Sequence, residues 1–288
     1  TATGRFDVWA QRDGHSHLTP RVPTVDASSS VFPDRSESAL SPRLAVLFRA
    51  SSVVSLTGSA YGAFRGPTLN ELYRGFRVGG TVTRPNPALT AERLWGGEVG
   101  ALFARGPLAL RVTGFDAEVS DAVANVTVET TPSLVIRQRQ NLGRVRSTGL
   151  EVEGEARAGA RASLTAGYTL IDSRVTGFAA DPSLEGRQVP HIPRHQAVLQ
   201  ARYESEWRLG LQARWFGDAW EDDRNTLVLD SAFLLDLFVA RRLVGGLEVF
   251  VAAENLLDAD VVVGRTPVGK LGPPRVIRGG LRYRTGDR

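Results

Sequence analysis

Trp207-Arg208-Leu209-Gly210-Leu211-Gln212-Ala213-Arg214-Trp215 changes character at every residue. Odd positions are apolar and even positions are glycine or polar, which is the period of a β-strand and not of a helix. Eight steps of ~3.3 Å, tilted by ~40°, climb roughly 20 Å, close to the ~25 Å apolar band of an outer-membrane barrel. A tryptophan at each end of the apolar stripe falls where the aromatic girdles of such a barrel belong. A sandwich core would put that bulk at the centre of the stripe.

The same alternation extends in both directions. Leu150, Val152 and Ala156 oppose Glu151, Glu153 and Glu155. Leu164, Ala166, Tyr168 and Leu170 alternate with Thr165, Gly167 and Thr169; Ala197, Leu199, Ala201 and Tyr203 alternate with Gln196, Gln200 and Arg202. Phe233, Leu235, Leu237 and Val239 oppose a face carrying Asp236, and Leu247, Val249, Val251 and Ala253 oppose Glu248 and Glu254. The connections alternate in length. Short ones lie at 49–52, 105–107, 159–161, 204–206 and 243–246; long ones lie near 14–40, 65–91, 120–145, 174–193, 217–226 and 259–273. Short periplasmic turns and long extracellular loops are the asymmetry of outer-membrane barrels. The reading is an all-β, antiparallel, up-and-down transmembrane barrel wall of about twelve strands, each paired with its sequence neighbours.

Composition narrows the alternatives. At 42% hydrophobic residues the chain is too apolar for disorder. No stretch approaches the ~20 apolar residues of a membrane-spanning helix, so a membrane location requires strands closed against lipid. The absence of cysteine removes thiol chemistry and cysteine metal sites. The net charge of +4 is carried by arginines scattered along the chain beside a single lysine, Lys270. No basic block offers itself to nucleic acid, and no phosphate loop, nucleophile elbow or HExxH motif is present.

Several segments then resemble one family. Tyr61-Gly62-Ala63-Phe64-Arg65-Gly66-Pro67-Thr68-Leu69-Asn70-Glu71-Leu72-Tyr73 is similar to the "YGxxFRAPTLNELY" segment of TonB-dependent receptors, with Gly66 in place of Ala. Asn86-Pro87-Ala88-Leu89-Thr90-Ala91-Glu92 resembles their "NPxLxPE" segment, and Asn141-Leu142-Gly143 with Gly149-Leu150-Glu151 resembles "NxGxxxxxGxE". Glu254-Asn255-Leu256-Leu257-Asp258 resembles "ENLFD", while Gly264-Arg265-Thr266-Pro267 and Gly272-Pro273-Pro274-Arg275 look like the last loop of the group.

The resemblance implies a bacterial outer-membrane receptor that imports a scarce small molecule and is not an enzyme. Residues 1–288 read as one domain, the C-terminal part of a barrel of about 22 strands, truncated on its N-terminal side. The implied partners are outer-membrane lipid, a plug domain and the rest of the barrel, the TonB energy-transducing complex and the ligand. No cofactor is implied. Siderophore, cobalamin, haem and glycan stay open as ligands. Haem ranks lower because haem-uptake members carry a histidine between their two motifs and none lies between Phe64 and Leu89 here. The alternative is a self-contained twelve-stranded barrel, either an autotransporter translocator or an outer-membrane hydrolase.

Candidate residues follow from these readings. Glu98, Glu151, Glu153, Glu155, Arg202, Arg214, Asp236 and Glu248 are expected to line the lumen, the three strand glutamates exposed and without the partners a plug would supply. On the lipid face an arginine at the midplane would cost about 2–4 kcal/mol. Arg65, Tyr73, Arg74, Phe76, Arg77 and Arg84, in the loop that carries the first motif, mix guanidinium and aromatic groups in a way that suits an anionic ligand. Asp218, Glu221, Asp222 and Asp223 could hold Ca²⁺ through oxygen ligands, although a solvated loop explains them better. His15 with His17, and His191 with His195, are the remaining metal candidates; Pro190 and Pro193 bar a helix at the second pair.

Overall fold

The computed structural model describes residues 1–18, 28–266 and 268–284. Twelve strands form one antiparallel sheet in sequence order. They are β1 (Ala2–Gln11), β2 (Arg35–Arg49), β3 (Val54–Arg65), β4 (Glu92–Arg105), β5 (Leu108–Thr131), β6 (Leu134–Ala158), β7 (Ala162–Gly177), β8 (His195–Glu204), β9 (Trp207–Phe216), β10 (Ala232–Arg242), β11 (Leu247–Glu254) and β12 (Val276–Tyr283). The tight turns use backbone positions that favour glycine: Gly106 and Gly159 sit at positive φ between β4 and β5 and between β6 and β7. No helix among the described residues is long and apolar enough to cross a membrane, which says nothing against strands.

Register fixes the faces. Leu211 lies opposite Ala201 and Leu237, whereas Gln212 lies opposite Gln200 and Asp236. Cross-strand partners share a face, so Trp207, Leu209, Leu211, Ala213 and Trp215 stand on one side and Arg208, Gln212 and Arg214 on the other. A one-residue slip would exchange the two faces everywhere. Much of the apolar face is exposed, with Phe6 at 68% and Val99 at 71% of their full accessibility. An exposed surface of that size on a folded sheet is a surface made for lipid. Phe48, Phe103, Tyr203, Trp207 and Tyr283 mark it near the short turns; Trp95, Tyr168, Trp215 and Phe233 mark it toward the long loops. Arg241 reaches over the Trp207 ring at 5.1 Å, keeping its charge at the interface while its stem lies along the ring.

Two expectations need correction. The segment 120–145 is not a loop: β5 and β6 run on for 24 and 25 residues and pair across it. The ladder tolerates an interruption at Asp121, which takes positive φ, and resumes because Ala122 to Val128 still alternates in strand-compatible residues. Nor do strands pair only with sequence neighbours. Residues 81–84 lie parallel to 135–138 of β6, and 76–78 pair back onto 81–84. Beside this tall hairpin Val126, Leu142, Val175, Phe178 and Leu184 form a small buried core outside the apolar band.

Among the described residues β1 and β12 each pair on one side only, so the sheet is open and not a closed twelve-stranded barrel. Replacing Leu211 by Arg should lower stability by about 2–4 kcal/mol in urea unfolding from lipid bilayers, because the charge enters hydrocarbon. Gln212→Arg, one residue along, should change it far less. Equal effects would contradict the face assignment.

Candidate functional site: the loop-side cluster

The first motif folds where its sequence permits. Thr68 caps a one-turn helix, α1 (Leu69–Tyr73), as half of a capping box: its side chain accepts from the Glu71 N–H, and Glu71 accepts from the Thr68 N–H at 2.7 Å. Arg65, at the end of β3, donates to both Glu71 oxygens at 3.1 and 3.2 Å and also to Glu92 at the start of β4. Burial pushes the Glu71 carboxyl up, but the Thr68 N–H and Arg65 outweigh it and hold it below its ordinary value. Leu72, on the inner side of the turn, is fully buried.

A second set of bonds ties this segment to the polar face of the sheet. Arg35 donates to the carbonyls of Pro87 (2.9 Å) and Leu89 (2.5 Å). Tyr73 donates to Gln11 at 2.8 Å and packs on Phe32 at 4.2 Å between ring centroids. From the other side Arg139 donates to the Asn70 and Arg74 carbonyls, Asn86 donates to the Arg139 carbonyl, and Asn141 exchanges two bonds with Thr90. Residues 66–91 are therefore clamped between β1–β2 and β6.

Among the six residues proposed for ligand contact, this geometry separates two groups. Arg65 and Tyr73 are engaged in holding the segment together. Arg74, Arg77 and Arg84 are exposed and make no ion pair among the described residues; Arg77 donates only to the Gly79 carbonyl at 2.8 Å, and Phe76 is half exposed beneath Arg139 at 5.6 Å. Sequence reasoning missed as the clamp Glu71, Glu92, Asn86, Arg139, Asn141 and Glu37, which accepts from Arg35 and from the Ala91 N–H at 3.2 Å. The Thr68-Leu69-Asn70-Glu71 capping signature was visible inside the motif; the partners on β6 were not, because they depend on the extended hairpin.

The acidic loop does different work from the one considered for it. Glu221, nearly buried, accepts from the Arg265 N–H (2.6 Å), the Thr266 N–H (3.0 Å) and the Thr266 hydroxyl (2.7 Å). Asp222 accepts from Thr226 and Leu227, Asp223 from the Thr127 N–H and hydroxyl, and Asp218 from the Ser231 N–H. Each carboxylate is committed to donors of its own chain. No group of three His, Cys, Asp or Glu among the described residues is arranged to hold a metal ion. His15 and His17 lie in a small ribbon paired with 28–31, His191 takes positive φ in its loop, and His195 opens β8.

The eight residues expected in the lumen all stand on the polar face. Arg214 pairs with Asp236 at 2.8 Å, Arg208 and Arg282 both reach Glu248, and Glu98 accepts from Tyr61 at 3.0 Å. Arg202 lies opposite Gly210. Two of the strand glutamates differ from expectation, since Glu153 has Arg111 at 3.8 Å and Glu155 has Arg157 at 2.6 Å; Glu151 alone is exposed with no ion pair. Arginine on adjoining strands or two residues along supplies those partners.

A polar-walled, apolar-backed antiparallel sheet with its clamped loops on one side defines part of the wall of an outer-membrane β-barrel. The chain belongs to the TonB-dependent receptor-like β-barrel family, whose model matches residues 1–256. It is similar to the ferrichrome outer membrane transporter/phage receptor of Escherichia coli (strain K12), 28% identical over 42% of this chain and 17% of that protein. It also resembles a vitamin B12 transporter of Photobacterium profundum, 22% identical over 78% of this chain and 35% of that one. The fold matches the siderophore receptor PiuA from Acinetobacter baumannii with a TM-score of 0.74 at 15% identity, over 98% of this chain and 40% of that chain. The chain thus spans about a sixth to a third of these curated relatives. The family places it in the outer membrane, and the relatives are transporters and receptors.

Glu221 gives a pH test. Burial raises its carboxyl, the Thr266 and Arg265 donors together lower it by more, and the net value lies below the ordinary one. Its contribution to stability is therefore complete above the unfolded value of ~4.5 and lost as pH falls through the depressed folded value. Intrinsically corrected hydrogen-exchange protection at Arg265 and Thr266 should hold at neutral pH and collapse in that acid window. Glu221→Gln should lower the protection at all pH values and remove the acid step.

Proposed function

We propose that this chain is part of an outer-membrane receptor that binds a scarce small ligand from outside and imports it with energy supplied through TonB. The observation that carries the reading is the clamped 66–91 segment, which holds the guanidinium groups of Arg74, Arg77 and Arg84 without a carboxylate partner among the described residues. Exposed arginines on a preorganised segment favour an anionic ligand, because the charge needs no acidic partner displaced before it binds. The polar face of β1–β12 is the wall of the lumen in this reading. Its Arg–carboxylate pairs and Glu151 meet water or a plug domain.

The two open edges support a larger wall. The outer backbone groups of β1 and β12 have no strand partner among the described residues, which hydrocarbon would not tolerate, and further strands of the same barrel supply it in this reading. Uptake of ferrichrome, ferrioxamine, a ferric catecholate and cobalamin, each labelled, would be measured in cells producing the whole receptor. Arg74→Gln, Arg77→Gln and Arg84→Gln combined should weaken binding of the accepted ligand by roughly tenfold or more. A strain lacking TonB should keep surface binding and lose import. Undiminished binding by the triple variant would remove the arginines from the site, and import without TonB would remove the energy coupling.

A further inference from the structure

On its β6 side the clamp around residues 66–91 gathers on one side chain. Arg139 donates through Nη1 to the Asn70 carbonyl and, at 3.0 Å, to the Arg74 carbonyl. Its guanidinium lies over the Phe76 ring at 5.6 Å, and its own carbonyl accepts from Asn86 at 2.9 Å. A single position of the sheet thus holds Asn70, Arg74, Phe76 and Asn86. Arg139 is half-buried and makes no ion pair among the described residues, so carbonyls and a ring are what meet its charge.

Asn70 and Arg74 bracket the one turn of α1. The Asn70 carbonyl accepts the Arg74 N–H at 3.2 Å. The Arg74 carbonyl, at the C-cap, has no donor from the helix, and Arg139 supplies one at the end of the turn where a cation is favoured. Past that carbonyl the chain enters 76–78, which pairs with 81–84, which pairs in turn with 135–138 of β6. The path that carries Arg74, Arg77 and Arg84 is therefore fixed twice by neighbouring residues of one strand, by the ladder at 135–138 and by the side chain at 139.

We infer that Arg139 is the positioning residue of the ligand site: it sets where Arg74, Arg77 and Arg84 stand without touching the ligand. The inference rests on the reading of those three arginines as ligand contacts. Both bonds of Arg139 Nη1 go to backbone carbonyls and its plane covers Phe76, so its bonding is directed at the segment. It acts by preorganisation, since side chains on a fixed backbone lose less freedom on binding than side chains on a loose one. Lysine keeps the charge but not the role, because an ammonium has no planar fork to serve two carbonyls while lying on a ring.

The test uses outer-membrane vesicles bearing the whole receptor, with labelled ferrichrome, ferrioxamine, a ferric catecholate and cobalamin as probes. Arg139→Gln should weaken binding of the accepted probe roughly tenfold, and Arg139→Lys nearly as much. In both variants the amides of 72–78 should exchange faster with solvent before any probe is added, while heat-modifiable migration stays that of the wild type. Added to Arg74→Gln, Arg77→Gln and Arg84→Gln together, Arg139→Gln should cause no further loss, because coupled changes do not add. Unchanged exchange at 72–78 would overturn the inference whichever probe binds. Wild-type binding by Arg139→Lys would also overturn it, making charge and not geometry responsible. A further tenfold loss in the triple background would make Arg139 a direct contact and overturn it too. The triple variant alone reports on the underlying reading: if it binds like the wild type, that reading falls and this inference with it. Weakened binding by the triple variant beside wild-type binding by Arg139→Gln overturns this inference only.

Discussion

A backbone amide in hydrocarbon has nothing to bond except another backbone group, and this requirement governs the molecule from β1 to β12. Each strand satisfies its neighbours through an antiparallel ladder, and only the two outermost edges remain unpaired among the described residues. Once the ladder is fixed, side chains have two destinations, and the sequence sorts them by residue parity. Within the apolar band most leucine and valine side chains go toward lipid, while arginine and carboxylates go to the other face, where water, each other and rings such as Phe238 and Phe250 meet them. Changing the parity of one strand would place charge in hydrocarbon along its whole length.

The polar face answers its own charges locally. Arg208 and Arg282 converge on Glu248, Arg214 meets Asp236 one strand away, and Arg278 meets Glu254. Arginine suits this wall because its planar donors can reach two neighbours while staying charged. The loop side uses polar groups differently. Asp223 and Asn86 spend their bonding capacity on the backbone of β5 and β6, and Glu221 on that of the 265–266 loop, so segments distant in sequence are held at fixed places.

The strands were legible because alternation is a local property. Trp207 to Trp215, Leu150 to Ala156 and Leu247 to Glu254 needed no knowledge of their partners, and their faces follow from parity. The parallel contact between 81–84 and 135–138 could not be read this way, since it joins segments about fifty residues apart through short runs with no strong period. The extension of β5 and β6 through 120–145 was hidden for a related reason. Asp121 breaks the pattern as a turn residue would, and pairing resumes only because both strands continue together. At the candidate site Arg65 looked available for a ligand, and the residues that occupy it, Glu71 and Glu92, lie six and twenty-seven positions away. The acidic run at 218–223 was open to Ca²⁺ and read better as a solvated loop, yet Glu221 and Asp222 are buried. Its true partners, Thr127, Thr226, Thr266 and Ser231, are donors that composition does not link to it.

Mechanically, the paired ends of β5 and β6 form a cantilever rooted in the sheet. Asp223 braces it at Thr127, and the ribbon 81–84 braces it along 135–138. Only residues 128–133 project past both braces, exposed on every side. A beam's deflection grows steeply with its free length, so shortening the overhang to this tip confines bending there. Anything pressing on the side of the shaft instead loads the braces, and through them the 66–91 segment and the acidic loop together.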